Sequence, residues 1–243
     1  MRSVSSAISQ QMNKISMGIK RRFLCQINLG RLDRLHPLST LFGYDRGQPI
    51  DRRYIENFLL QHKGDIHGRV LEVGDSSYTK KFGGSLVEQS DILHAVEGNP
   101  SSTIVADLAR ADNIPSNTFD CIILTQTLQF VYDLPAAVNH LHRILKPDGI
   151  LLATVPGISQ ISRYDMDRWG EFWRFTTQSA QRLFESKFPA KNIEVKAYGN
   201  VLVAIAFLHG LAAEELKAEH LEYQDPDYQV LITVRAIKSK IGN

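Results

Sequence analysis

The chain has 243 residues, of which 43% are hydrophobic and 22% are charged, and its formal net charge is +2 at pH 7. This length and composition predict one large α/β domain, and the small net charge argues against nucleic-acid binding, which usually needs a much stronger basic excess. No apolar run reaches the roughly 18 residues of a membrane span, so we expect no integral membrane segment. The two cysteines, Cys25 and Cys121, are far apart in the sequence and predict reduced thiols in a cytoplasmic protein.

The first part of the chain predicts a helical extension over residues 1–45, followed by a domain over residues 46–243. The extension carries Ser, Gln, Lys and Arg with scattered Ile, Met and Leu, which suits a loosely held amphipathic helix. Its basic cluster at residues 20–22 leaves docking on an anionic surface open, although one short basic cluster binds membranes only weakly.

An amphipathic helix is expected just before the first strand. Asp51 is a candidate N-cap, and the apolar side chains at positions 54, 55, 58 and 59 fall on one helical face. Such a helix packs on a sheet, and it could also cover a ligand crevice.

The first predicted strand ends in a polar turn within residues 69–78. Its apolar, β-branched run stops at Gly74, and a glycine turn at the carboxyl end of a strand is where an open α/β sheet forms a ligand crevice. Glu72 is the one charge inside the run, and a buried carboxylate is costly without a partner. Two partners are open for it: a cationic or hydrogen-bonding ligand, or a nearby Lys or Arg.

Residues 91–97, 102–107 and 119–125 predict the second, third and fourth strands. The gap between the second and third is only a few residues, whereas a parallel pair needs a crossover of about a dozen. The helix normally found there is therefore missing or reduced, or one of the two strands is irregular.

The second half of the chain alternates helices with strands. A helix begins after Asp133, and we expect its His140 and His142 on a solvated face. Strands are predicted over residues 150–155, 193–198 and 229–236, and helices over residues 176–188 and 201–217. This alternation predicts a doubly wound, mostly parallel sheet.

Five signals then occur in order: Val70-Leu-Glu-Val-Gly74, an acid after the second strand, Asp107-Leu108, Phe119-Asp120, and Leu145-Lys-Pro-Asp-Gly149. Over residues 50–240 they resemble the class I S-adenosylmethionine-dependent methyltransferase family. Residues 157–169 further resemble a subgroup associated with glycan and natural-product biosynthesis. The resemblance implies a Rossmann-like methyltransferase fold and an enzyme that methylates a glycan or small molecule, with oxygen as the expected acceptor atom.

The resemblance also implies which residues hold S-adenosylmethionine. Glu97 would accept hydrogen bonds from the ribose diol, and Asp107 with Leu108 would hold the adenine. Thr125 and Gln126 would line the methionine and sulfonium region. The full candidate set follows the ends of the first four strands: Glu72, Gly74, Asp75, Ser76, Tyr78, Glu97, Asp107, Leu108, Thr125 and Gln126.

The first turn departs from the family pattern, which usually places two more glycines where this chain has Ser76 and Tyr78. A side chain at each place constricts the crevice and limits positive φ. Either these residues supply hydroxyl contacts to a slightly shifted cofactor, or the site no longer binds it. In the second case the protein would be a methyltransferase-like binding or scaffold protein, or an enzyme that reuses the fold for other chemistry.

No residue pattern identifies the catalytic base, for which His94, Tyr164 and Asp165 are candidates; His94 also suits a structural role in a buried strand. Tyr164, Trp169 and Trp173 could stack on a sugar or flat metabolite, with the two tryptophans on one helical face, or they could form a hydrophobic lid. No His/Cys/Asp cluster shows ligand spacing, so we expect no metal. A homodimer is a candidate assembly.

Overall fold

The computed structural model describes residues 34–240. Most of the predicted extension, residues 1–33, therefore lies outside the described residues, as does Cys25. Within the described residues, one compact unit begins at Pro37. The early segment belongs to this unit because the backbone N–H of Leu38 donates to the carbonyl of His209 at 2.8 Å. Within residues 34–240, no helix is long and apolar enough to cross a bilayer.

Seven strands form one sheet in the order β3-β2-β1-β4-β5-β7-β6. The first five run parallel, whereas β7 is antiparallel to both β5 and β6. The prediction of a doubly wound, mostly parallel sheet is therefore confirmed. The strands are β1 Gly68–Val73, β2 Val87–His94, β3 Ile104–Val105, β4 Phe119–Thr125, β5 Leu145–Pro156, β6 Ile193–Tyr198 and β7 Leu231–Ile237.

Helices cover both faces of the sheet, and each face has its own hydrophobic core. Strand β4 is buried on both faces, which explains why its sequence is almost wholly apolar. The helices in the described part of the chain are α1 Ile50–Gln61, α2 Leu134–Ile144, α3 Arg163–Trp169, α4 Thr177–Glu185, α5 Val201–Leu208 and α6 Ala218–Glu222.

Three helix predictions need correction. Pro49 rather than Asp51 occupies the N-cap of α1. The helix predicted over residues 201–217 ends at residue 208, near Gly210, whose φ of +70° stops an α-helix. The solvated face expected for His140 and His142 is wrong: His140 is buried, and the His142 ring packs edge-on against Phe188, 4.9 Å between centroids.

The crossovers among the first three strands are reduced. Thr79–Gly83 forms a π-helical turn and Gly84–Leu86 a 3₁₀ turn between β1 and β2. Residues 95–103, between β2 and β3, contain no helix, and β3 has only two residues. Both alternatives left open by the sequence therefore hold: the crossover helix is missing, and the third strand is short.

Candidate functional site

A cavity of about 1650 Å³ opens at the carboxyl edge of the parallel strands. The ends of β1, β2, β4 and β5 contribute to its floor, α1 with residues 42–49 forms one wall, and residues 159–172 form another. This is the edge at which open α/β sheets bind their ligands. Typical small-molecule pockets measure roughly 300–1,000 Å³, so this cavity is larger than a pocket for a single small ligand.

Most of the candidate residues meet in this cavity. Eight of the ten candidates for the cofactor line it: Glu72, Gly74, Asp75, Tyr78, Asp107, Leu108, Thr125 and Gln126. Ser76 is buried beneath the turn, and Glu97 is exposed, one residue past the lining residue Val96. Of the acceptor and base candidates, Trp173 alone lies outside the lining; His94, Tyr164, Asp165 and Trp169 belong to it.

Gly74 makes the turn at the end of β1. Its φ is +93°, which disfavours any residue with a side chain, and a Cβ placed there would meet nothing within 4 Å. Its N–H donates to the carbonyl of Leu93 at 2.9 Å, and its own carbonyl accepts from the side-chain amide of Asn99 at 3.0 Å. The turn is thus tied to the loop after β2 while it leaves open space for a ligand.

Glu72 has a partner that the sequence did not indicate. Its carboxylate accepts hydrogen bonds from the backbone N–H of Tyr78 at 3.1 Å and from the N–H and hydroxyl of Thr79 at 2.8 and 2.7 Å. The acid is 2% exposed, and burial raises its pKa although these three bonds oppose that rise. Neither a ligand nor a basic side chain is needed to explain it.

The positions where the family has glycine do not need glycine here. Neither Ser76 nor Tyr78 is among the residues with positive φ, and Tyr78, which caps the π-helical turn, has an ordinary helical backbone. The Tyr78 ring packs against Phe82, 6.0 Å between centroids, and its hydroxyl meets the guanidinium of Arg52 on α1. The limit on φ expected from these side chains therefore does not arise, and Tyr78 forms part of the cavity wall.

Gln129, in the turn after β4, is a cavity residue that the sequence analysis did not identify. Gln126 has φ +46°, which is uncommon for a residue with a side chain and is found at ligand sites. Gln129 is 4% exposed, lines the cavity and donates its amide to the Gln126 carbonyl at 3.0 Å. Its Oε1 has no hydrogen-bond partner within residues 34–240. A second glutamine three residues after Gln126 was the available signal.

His94 lies at the end of β2 and faces the cavity. Its Nδ1 is 2.8 Å from the carbonyl oxygen of Val96, and a carbonyl can only accept. In the neutral ring Nδ1 therefore carries the proton, and Nε2 keeps a lone pair that can accept another. The Trp169 ring meets the imidazole edge-on with 5.8 Å between centroids.

The two tryptophans do not share a helical face, which corrects the expectation from their spacing. Helix α3 ends at Trp169, because Gly170 follows with φ +79°. Trp173 lies beyond the helix, donates its indole N–H to the carbonyl of Val131 at 3.0 Å and packs beside Tyr132.

The other two base candidates also lie on α3. Asp165 accepts from the hydroxyl of Ser162 at 2.5 Å as part of the helix N-cap. Tyr164 is largely exposed, with the guanidinium of Arg168 3.5 Å from its ring centroid. The carboxylate of Asp165 thus already has a structural partner, whereas Nε2 of His94 has none among residues 34–240.

A family model described as a methyltransferase domain matches residues 51–196, which is more than half of the chain. The chain therefore belongs to the methyltransferase-domain family.

Solved structures with the same fold include an S-adenosylmethionine-dependent methyltransferase from Archaeoglobus fulgidus (12% identity, TM-score 0.50, 77% of this chain and 94% of that one). Another is the N-methyltransferase NodS from Bradyrhizobium japonicum with S-adenosyl-L-homocysteine (13% identity, TM-score 0.50, 84% of this chain and 95% of that one). At these identities the likeness shows the fold, and the expected cofactor agrees with both neighbours.

A curated protein also matches part of the chain. The human mitochondrial arginine-hydroxylase NDUFAF5 is 38% identical over 74 residues, 28% of this chain and 21% of that protein. The match thus spans about a fifth of the relative's length.

Proposed function

We propose that this protein is an S-adenosylmethionine-dependent methyltransferase that methylates an oxygen of a glycan or a small-molecule natural product. The observation that carries the proposal is the turn at Gly74, which combines a φ of +93° with open space on its cavity side. A backbone turn of this form lets a nucleoside cofactor approach the end of the first strand closely. The carboxylate of Asp107 lines the same cavity.

The residues around the cavity fit this cofactor. Oδ1 of Asp107 accepts from the N–H of Ala109 at 2.9 Å, so Oδ2 is the atom proposed to receive the adenine amine. Leu108 is 4% exposed and offers an apolar surface beside it. Glu97 is proposed for the ribose diol. Gln129 lines the cavity beside Gln126 and is proposed to lie near the methionine end.

Bound in this way, S-adenosylmethionine supplies an electrophilic methyl carbon. His94 would then serve as the general base, because its Nε2, which has no partner among residues 34–240, would take the proton of an acceptor hydroxyl. Tyr164 and Trp169 hold a sugar or flat ring against the cavity wall. Most of the acceleration comes from this alignment, since well-oriented groups reach effective molarities of roughly 10⁵–10⁸ M.

Calorimetric titration with S-adenosylmethionine tests the cofactor assignment. Asp107→Ala is expected to weaken binding by about tenfold or more, because it removes a hydrogen bond to a charged group worth about 1.5–3 kcal/mol. Asp112→Ala is the matched control, since the Asp112 side chain is 90% exposed and lies outside the cavity lining. It should leave the affinity within about twofold.

A second candidate is an enzyme that reuses the fold for chemistry other than methyl transfer. The segment shared with a protein named as an arginine hydroxylase favours this alternative. The two candidates differ in their product: methyl transfer to a hydroxyl acceptor generates S-adenosylhomocysteine, whereas the second activity does not. An absence of binding heat and of any thermal shift with S-adenosylmethionine would favour the second candidate.

A further inference from the structure

The wall formed by α1 holds a cation without a carboxylate partner. Arg52 is half-buried and lines the cavity; its Nε donates to the hydroxyl of Tyr44 at 2.7 Å, and its Nη1 donates to the hydroxyl of Tyr78. By contrast, Lys81, which also lines the cavity, pairs with Glu56 of α1 at 2.8 Å. Within residues 34–240, the guanidinium of Arg52 has no carboxylate oxygen at ion-pairing distance.

In the described part of the chain, two further arginines line the cavity without a carboxylate partner, but they differ from Arg52 in exposure. Arg110 and Arg168 are exposed, so water solvates their charges. A half-buried guanidinium loses much of that solvation and needs a compensating group.

Among the described residues, the neighbours of Arg52 place no carboxylate oxygen in contact with its guanidinium. Tyr78 is buried, and burial raises the pKa of its phenol, so the hydroxyl stays protonated at neutral pH. The carboxylate of Asp51 accepts from the backbone N–H of Arg52 at 2.8 Å and does not pair with the guanidinium. Burial also raises the pKa of Asp51.

The guanidinium retains hydrogen-bonding capacity toward the cavity. It has five N–H donors, and among the described residues two are engaged, one with each tyrosine. The rings of Tyr44 and Tyr78 lie 5.9 and 5.5 Å from its central carbon, which holds the plane of the group. Each phenol accepts from Arg52 and still has its own O–H to donate.

We propose that Arg52, together with the hydroxyls of Tyr44 and Tyr78, binds the carboxylate of a ligand in this cavity. A planar guanidinium matches a carboxylate through two parallel N–H bonds, and the two phenols add donors at its sides. Two ligands could supply the carboxylate: the methionine end of the cofactor, or an acidic acceptor. In the first case the inference rests on the proposed function.

Calorimetry with two compounds that differ only in the carboxylate separates these sources. S-adenosylmethionine and its decarboxylated analogue are titrated into the wild type, Arg52→Gln and Arg53→Gln. If the cofactor supplies the carboxylate, Arg52→Gln weakens the binding of S-adenosylmethionine by about tenfold or more and leaves the affinity for the decarboxylated analogue unchanged. Arg53 is exposed, follows Arg52 on α1 and lies outside the cavity lining, so Arg53→Gln should bind both compounds like the wild type.

If the acceptor supplies the carboxylate, Arg52→Gln binds S-adenosylmethionine normally. Benzoate then raises the melting temperature of the cofactor-saturated wild type but not of Arg52→Gln. Arg52→Lys keeps the positive charge but lacks the planar pair of N–H donors. It should therefore restore part of the S-adenosylmethionine affinity or of the benzoate-induced rise in melting temperature, whichever Arg52→Gln reduces. Tyr44→Phe and Tyr78→Phe, which preserve packing, should each weaken the same response a few-fold.

The inference is wrong if Arg52→Gln changes neither the affinity for S-adenosylmethionine nor the rise in melting temperature caused by benzoate. It is also wrong if Arg52→Gln weakens the binding of S-adenosylmethionine and of its decarboxylated analogue equally while its thermal unfolding matches the wild type. A wild type that binds no S-adenosylmethionine would overturn the proposed function instead. In that case benzoate binding to the wild type against Arg52→Gln still tests the carboxylate site.

Discussion

The carboxylate of Glu72 accepts hydrogen bonds from both the N–H and the hydroxyl of Thr79, at 2.8 and 2.7 Å. The acid inside β1 therefore holds the start of the segment that follows it. This interaction fixes the turn that contains Ser76 and Tyr78. The shape of the cavity floor consequently depends on a contact between two residues that lie seven positions apart in the sequence.

Removing the Thr79 hydroxyl should loosen this turn. Thr79→Val keeps the side-chain shape but takes away one of three donors to a buried carboxylate, so we expect a loss of about 1.5–3 kcal/mol in the free energy of unfolding. Urea denaturation measures the loss. Ser77→Ala is the control, because the exposed Ser77 side chain makes no hydrogen bond within the described residues, and a loss of similar size there would contradict the role given to Thr79.

Two glycines allow backbone strain to be separated from ligand contact. Gly74 and Gly84 both have positive φ, and a Cβ at either position would meet nothing within 4 Å, but only Gly74 lines the cavity. Gly74→Ala and Gly84→Ala should each cost about 1–3 kcal/mol of stability. In calorimetric titrations only Gly74→Ala should weaken S-adenosylhomocysteine; equal affinities in the two variants would argue against a nucleoside at this turn.

The two tryptophans give an optical test of where a ligand binds. The chain has only these two, Trp169 in the cavity lining and Trp173 outside it. In Trp173→Phe the remaining indole lies beside the site, so S-adenosylhomocysteine should change its fluorescence with saturation. Trp169→Phe leaves the outer indole and should show little change. A response confined to Trp169→Phe would place the ligand outside the cavity.

His142 should make stability depend on pH. Burial, with the nearby Lys238 and Lys187, lowers its pKa below 6.5, so the unfolded chain takes up the proton first as the pH falls. The stabilisation of the folded state by neutral His142 is fully present above about pH 6.5. It is lost as the pH drops from there toward the folded-state pKa. Urea denaturation between pH 7.5 and roughly 5 should show a shallower decline for His142→Gln than for the wild type. An unchanged slope would mean that other groups cause the decline.

The fold could be predicted because local sequence and tertiary structure agree along most of the chain. The apolar β4 needs cover on both faces, and Asp133 caps α2 as expected, with its carboxylate 3.0 Å from the N–H of Ala136. The errors had two causes. Distant packing decides for His142, which Phe188 from another element covers, whereas the end of α3 before Trp173 is set locally by Gly170.

The candidate site was predictable only in part, for the same reason. Residues at strand ends, such as Gly74 and Asp107, are readable because strand order places them at one edge. Arg52 carries no such signal, since it reaches the cavity from a helix before the sheet, and Gln129 carries only a weak one, a second glutamine three residues after Gln126. Their roles depend on hydrogen-bond partners that only the folded chain brings together.

A crystal structure with S-adenosylhomocysteine tests the central claim most directly. We expect the nucleoside at the carboxyl edge of β1, with adenine against Leu108 and its amine at Asp107, and Tyr78 in the wall beside Arg52. Density for the nucleoside elsewhere, or a Tyr78 ring occupying the space above Gly74 with no nucleoside bound, would contradict the assignment.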